Sequence, residues 1–351
     1  MKKLRWGFLS TANIGRKNWQ SIRNTENNVL VAVASRDAVR ARKFIEECQA
    51  AEPFETPPKA LGSYEELIAS PEVDAIYVPL PTALRREWIV RAANAGKHIL
   101  CEKPCAVNLA ELDAMLAACR ANRVQFLDGV MFMHHPRMSR LRAALDDAAS
   151  VGDIRRIMAT FSFNVGEAFF KNDIRLQSAL EPTGSLGDLG WYCIRIILWA
   201  MKWQMPVEAN GRILSATNSV PTEFSGELVF AGGASAGFYC SFLAPNQKWV
   251  NISGTKGWLR VDDFVLPPNA HEYSFELNGQ MIPVKCCDCA SEHSQSRVMS
   301  QHANMFRNFA NQVFSGLVNE EWLDWARKTQ QVMDACLASA RRNPNHLDKN
   351  L

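Results

Sequence analysis

Leu4-Arg5-Trp6-Gly7-Phe8-Leu9-Ser10-Thr11-Ala12-Asn13-Ile14-Gly15 is the stretch whose reading decides the fold. Leu4–Ser10 is a buried-strand run and Asn13–Thr25 has helical spacing, so a strand passes directly into a helix. A dinucleotide-binding turn at such a junction uses three glycines: for the tight turn, for close approach to a pyrophosphate, and for helix packing. Here Ser10, Ala12 and Gly15 stand in those places, so two of the three are replaced by the next smallest residues. Taken alone this motif is weak. Its position strengthens it, because a helix N-terminus carries N–H donors that suit phosphate.

The alternation continues to Leu127. Val29–Ser35 is β-branched and apolar, and Asp37–Cys48 is a charged amphipathic helix. Ser63 and Glu66 form a capping box. Val73–Leu80 reads as a strand, Ala83–Ala95 as a helix ended by Gly96, and His98–Cys101 as a strand. Asn108 and Glu111 open a helix to Asn122, and Val124–Leu127 closes the series. Strands separated by helices of this length predict an α/β N-terminal Rossmann domain over residues 1–127, a doubly wound parallel sheet. The rhythm then changes. Ile154–Asn164, Glu227–Phe230, Ala236–Leu243, Val250–Ser253 and Trp258–Val261 are strand-like, with turn signals at Gly232-Gly233 and at Gly254-Thr255-Lys256-Gly257. Residues 128–351 are therefore expected to form an α+β domain for substrate binding and oligomerisation. It should hold a large, mainly antiparallel sheet and one helix around Gly190–Met201. The helical tail, His302–Arg341, is free to pack back on the first domain.

Composition narrows the function. The 351 residues carry 39 basic and 36 acidic side chains, a formal charge of +3, which offers no general attraction to nucleic acid or to an anionic membrane. Ten cysteines are too few for a disulfide scaffold and lie mostly in helix- or strand-like runs, as small buried side chains in a reducing compartment do. Cys286-Cys287-Asp288-Cys289 lacks the second ligand pair of a zinc site, so no metal is expected. Met1-Lys2-Lys3 is followed by strand-like sequence and then polar residues, and the apolar run Trp191–Met201 is short and contains Arg195. A cytoplasmic protein without nucleic-acid or membrane partners is the expectation.

About twenty positions after the last fingerprint glycine, an NAD site offers an acidic residue to the ribose hydroxyls. This chain has Ser35-Arg36, and a hydroxyl with a guanidinium suits a 2′-phosphate, so NADP is expected over NAD. Asp37 is one step late and placed to cap the next helix.

Gly96-Lys97-His98-Ile99-Leu100-Cys101-Glu102-Lys103-Pro104 and Gly184-Ser185-Leu186-Gly187-Asp188-Leu189-Gly190-Trp191-Tyr192-Cys193 resemble the two signature motifs of the glucose–fructose oxidoreductase/inositol dehydrogenase (Gfo/Idh/MocA) family. The similarity extends over most of the chain, including Val78-Pro79-Leu80-Pro81-Thr82, and is closest to the dihydrodiol dehydrogenase and NADP-dependent xylose dehydrogenase branch. The resemblance implies that Ser10, Thr11, Ala12, Asn13, Ile14, Ser35, Arg36, Leu80, Pro81, Glu102 and Lys103 hold the dinucleotide. It implies that Lys103 contacts the reacting substrate oxygen, that Tyr192 is the acid/base, and that Asp188 orients the substrate.

Those residue types suit the chemistry. A carbinol that gives up a hydride must also lose its hydroxyl proton, and an ammonium beside a phenol favours the phenolate that accepts it. Asp188 and Tyr192, four apart, would face the same way on an α-helical turn. Phe132, Asn172, Arg175 and Trp191 are candidate substrate-pocket residues for a sugar or a cyclic diol. Pro182-Thr183 replace two glycines of the second motif, and Arg85 stands where relatives often have His. Two other functions remain open on this fold: a glycosidase using tightly held NAD, and a non-catalytic dinucleotide sensor. Apolar runs around Leu228–Phe230 and Phe238–Phe242 suggest a sheet face left uncovered, hence a homodimer or higher homo-oligomer.

Overall fold

Six short apolar runs, buried on both faces, can satisfy their backbone only by pairing with one another. In the computed structural model, which describes residues 2–166, 169–170, 173–266, 272–285 and 300–342, they do so in parallel. They are β1 (Leu4–Leu9), β2 (Asn28–Ala34), β3 (Lys59–Leu61), β4 (Ala75–Val78), β5 (His98–Cys101) and β6 (Phe126–Asp128). Their order, β3-β2-β1-β4-β5-β6, is that of a dinucleotide-binding sheet, with the reversal of strand order between β1 and β4.

Helices Ile14–Arg23, Ala38–Ala51, Tyr64–Ala69, Thr82–Asn94 and Leu109–Ala121 connect the strands. Asp37 caps the second of these, its carboxylate accepting from the Val39 N–H at 2.8 Å. Ser63 caps the third through the Glu66 N–H at 3.2 Å, and Glu66 reaches back to the Gly62 N–H at 3.3 Å. Gly7 is required by the packing: a Cβ there would lie 2.7 Å from Leu67 Cδ1.

The chain divides into two compact units. The first comprises the described residues of Met1–Ala106, Ala110–His135 and Cys289–Ala326, so helix Gln301–Phe314 belongs to it. The reason is Trp6 on β1. Its fully buried indole donates to Asn28 Oδ1 at 2.7 Å and meets the rings of Phe306 and Phe309, each 5.0 Å away. Two aromatic contacts of this kind contribute about 1–3 kcal/mol beyond the area they bury.

The second unit comprises the described residues of Val107–Leu109, Pro136–Asp288 and Arg327–Leu351. Its sheet contains β7 (Ile154–Ser162), β8 (Glu208–Thr217), β9 (Val220–Val229), β10 (Ser235–Ser241), β11 (Gln247–Gly254), β12 (Trp258–Val261), β13 (Glu272–Leu277) and β14 (Gln280–Lys285). The order is β14-β13-β12-β11-β7-β10-β9-β8, antiparallel throughout except where β7 meets β10. Helix Trp191–Ala200 packs on β7 and β10.

That packing corrects one expectation. Leu228, Phe230, Phe238 and Phe242 are at most 2% exposed, because strand alternation turns them inward, so they offer no uncovered apolar face. The opposite face presents polar pairs instead, Arg156 with Glu227 and Tyr239 with Glu223. Gly226 lies under Phe238, whose ring leaves no room for a Cβ. Among the described residues no helix is long and apolar enough to cross a membrane, and the seven cysteines found there are all buried and free.

His302, on the helix that covers Trp6, gives the first unit an acid-sensitive point. Burial, with Lys17 adding to it, lowers its pKa from 6.5 to about 3. The folded state therefore keeps the neutral imidazole, while the unfolded chain binds a proton below about 6.5. The stability this supplies is present above the unfolded value and is lost as pH falls towards the folded one. Denaturant titrations at pH 7 and pH 5 should show wild type losing about 1–2 kcal/mol more than His302→Gln. Equal losses would place the acid sensitivity elsewhere.

Candidate active site

A parallel sheet brings the carboxyl ends of its strands to one edge, and the first unit's candidate residues gather there. At the end of β1, Ser10 has φ 144°, a backbone region that favours glycine, which accounts for the glycine usual at this place. Its hydroxyl accepts from the Ala12 N–H at 3.2 Å and so steadies the turn. Gly15 fills the third fingerprint role, since a Cβ there would come within 3.2 Å of the Phe44 ring. Asn13 and Ile14 are exposed at the helix start, and no side chain caps that start. The Gly15 and Arg16 N–H groups donate to Ala12 O at 2.9 Å and Asn13 O at 3.1 Å, and the positive end of the helix dipole suits this turn to an anion. Thr11 is half-buried beside them.

At the end of β2, Ser35 is buried and its N–H donates to Leu61 O at 3.2 Å, while Arg36 is exposed. Asp37 is spent on its cap. Burial raises the pKa of the Tyr64 hydroxyl, against which Arg36 and Arg40 both act, so two guanidiniums share this neighbourhood. Arg40 was not singled out from the sequence. Its signal is the i, i+4 spacing from Arg36.

The ends of β4 and β5 are bound together. The Glu102 carboxylate accepts from the Tyr77 hydroxyl at 2.6 Å and from the Lys103 N–H at 3.3 Å. Burial and that carboxylate raise the Tyr77 pKa well above its ordinary value, keeping it a donor. Leu80 is buried, Pro81 precedes helix Thr82–Asn94, and Lys103 is half-buried. Arg85, on that helix, is 5% exposed. It donates through Nε to Leu80 O at 2.7 Å and through Nη1 to Glu102 O at 2.7 Å and to Pro104 O. Neither Tyr77 nor this role of Arg85 was read from the sequence.

In the second unit, Asp188 and Tyr192 adjoin a wider turn than their spacing suggested. Leu186–Gly190 is a π-helical turn that leads into helix Trp191–Ala200. Such turns are rare and are frequently found at functional sites. Asp188 accepts from Arg175 Nε at 3.0 Å, and Arg175 is held in turn by Asp173 at 3.2 Å. Asp188 does most to raise the pKa of that guanidinium. Tyr192 is 6% exposed and edge-on to Phe161, with ring centroids 5.5 Å apart. Gly184 has φ 47° and a Cβ there would overlap the Pro221 carbonyl, so this position of the motif needs glycine.

Of the other candidates, Phe132 is fully buried in the first unit. Trp191 is fully buried in the second, with the Arg195 guanidinium 5.9 Å from its ring. Asn172 and the Cys286–Cys289 run lie outside the described residues. Among those described, no group of three His, Cys, Asp or Glu side chains is placed to hold a metal.

Known proteins resemble this chain in sequence and in fold. A family model described as an oxidoreductase family with an NAD-binding Rossmann fold matches residues 4–129, and a GFO/IDH/MocA C-terminal domain matches residues 138–260. The chain is 30% identical over 284 residues to D-xylose 1-dehydrogenase (NADP(+)) 2 of Haloferax volcanii, covering 79% of this chain and 82% of that protein. It is 31% identical over 263 residues to trans-1,2-dihydrobenzene-1,2-diol dehydrogenase of Bos taurus, covering 74% of each. Among solved structures, a 3-ketoreductase from Actinomadura kijaniata in complex with NADP and TDP-benzene superposes with a TM-score of 0.83 at 24% identity. That match covers 96% of this chain and 98% of the reductase.

Proposed function

The chain belongs to the GFO/IDH/MocA family of oxidoreductases, and from that premise we propose that it is an NADP(H)-dependent dehydrogenase or reductase of a sugar or cyclic diol. The observation that carries the reading is the edge where β1, β2, β4 and β5 end. It joins an anion-accepting turn, Arg36 with Arg40, and an anchored Lys103 on one rigid sheet. These residues fit a dinucleotide: the turn for its pyrophosphate, the two guanidiniums for a 2′-phosphate, Leu80-Pro81 and Glu102 for the nicotinamide half.

When bound, the nicotinamide supplies or accepts the hydride. The protein's own task is the proton. As the carbinol carbon gives up its hydride, the hydroxyl proton passes to the Tyr192 oxygen, and the C–O bond becomes a carbonyl. The Lys103 ammonium donates to the reacting oxygen. Asp188, fixed by Arg175, accepts from a neighbouring substrate hydroxyl. A xylose dehydrogenase and a dihydrodiol dehydrogenase among the relatives support both substrate classes. We further propose a two-fold homodimer, formed through the outer face of the second sheet, where Met158 is 36% exposed.

Cofactor preference tests the reading. Protein fluorescence titrations should show NADPH binding more tightly than NADH. Arg36→Ala should weaken NADPH by about 1.5–3 kcal/mol, the loss of a charge-assisted pair, and leave NADH almost unchanged. Equal losses would remove the 2′-phosphate assignment. In sedimentation at micromolar concentration the dimer predicts a species heavier than the 39.3 kDa chain, and a lone species of that mass would refute it.

A further inference from the structure

Arg85 is a buried cation whose three hydrogen-bonded partners are backbone carbonyls: Leu80 O after β4, and Glu102 O and Pro104 O after β5. The last two carbonyls bracket Lys103 in sequence. The Lys103 N–H itself donates to the Glu102 carboxylate, which also accepts from the Tyr77 hydroxyl. The Glu102 N–H donates to Val78 O at 3.2 Å, and the Cys101 thiol lies 3.1 Å from Glu102 O. Backbone and side-chain groups on both sides of Lys103 are thus fixed, and one guanidinium spans both strand ends.

Taking a guanidinium out of water is costly unless its donors meet acceptors. Here that requirement works as a clamp. The carbonyls of two loops must stay convergent on Arg85, or the charge is left buried without them. Lysine would not serve, because its single ammonium lacks the planar fork that reaches three separated oxygens. We propose that Arg85 is a positioning residue for Lys103: it sets the backbone that aims the ammonium, and it touches neither substrate nor the reacting atoms. The proposal rests on the functional reading of Lys103 for its consequence in turnover, but its structural half can be tested without cofactor.

The experiment uses the full chain carrying Arg85→Lys, Arg85→Met or Arg85→Ala, with Lys103→Ala in parallel. In the apo proteins, hydrogen exchange by mass spectrometry should show the 99–106 segment exchanging about 10-fold faster or more, with helix Ala38–Ala51 unchanged. With the substrate that a panel of pentoses, hexoses and trans-diols identifies, kcat should fall about 10- to 100-fold. The NADPH dissociation constant should stay within about threefold of wild type. Free guanidinium should restore part of the turnover of Arg85→Ala and none of that of Lys103→Ala.

Wild-type exchange and turnover in Arg85→Lys would overturn the proposal. So would a rise in exchange spread evenly over the first unit, which would make Arg85 a general support. If Lys103→Ala keeps normal turnover, the functional reading fails, while the exchange result still decides whether Arg85 holds the loop.

Discussion

A charge that is buried must be answered by nearby polar atoms, and at the carboxyl edge of the first sheet that constraint organises the loops. Arg85 enters from helix Thr82–Asn94 and finds its acceptors on the backbone of two connections. Its presence there dictates that the turn after β4 and the turn after β5 keep one relative position. Glu102, Tyr77 and the Lys103 N–H complete the same network with a carboxylate at its centre. A partly satisfied buried network costs more than an apolar core, so these groups stand or fall together. The edge is also where the strand order reverses, the place where open α/β sheets bind their ligands. Rigidity at such a point suits the role proposed for Lys103, because orienting a group towards one oxygen gains nothing from a mobile loop.

The second unit solves a similar problem with different means. Asp188 sits on a π-helical turn and Tyr192 on the wholly buried helix that follows it, and each meets a neighbour from elsewhere in that unit. Arg175 holds Asp188, and Phe161 on β7 packs against Tyr192. Gly184 permits the chain to enter this turn close to the Pro221 carbonyl, and Gly190 to pass close to Cys240. The large sheet is therefore a platform whose inner face supports the site. Its outer face is built from exposed and paired polar residues such as Arg156 and Glu227.

What could be read in advance followed from how local the physics is. Parallel strands buried on both faces announce themselves as apolar runs, so every strand of the first sheet except β3 was foreseen. Asp37, Ser63 and Gly96 marked helix ends through chemistry confined to a few residues. β3 is only three residues long, and β8 mixes glycine, asparagine and serine with apolar residues, so neither shows a clear period. The burial of Leu228 and Phe238 was misjudged because alternation shows which residues share a face, not which face is covered. In the sequence Arg85 shows only as a residue standing where relatives often have His, and the fold reveals three carbonyls around it. The π turn at Leu186–Gly190 likewise changes a spacing of four that looked like ordinary helix.

The proposed function requires both Lys103 and Tyr192 for hydride transfer. A double-mutant cycle in single-turnover kinetics, at saturating NADPH, tests it most directly. Tyr192→Phe and Lys103→Ala should each slow hydride transfer by about 10²–10⁴, the range of general acid–base catalysis. The double variant should be no more than about threefold slower than the worse single, because groups acting as one unit cannot be lost twice. Losses that multiply, or near-normal hydride transfer in Tyr192→Phe, would contradict the claim and return Tyr192 to the role of a packed aromatic against Phe161.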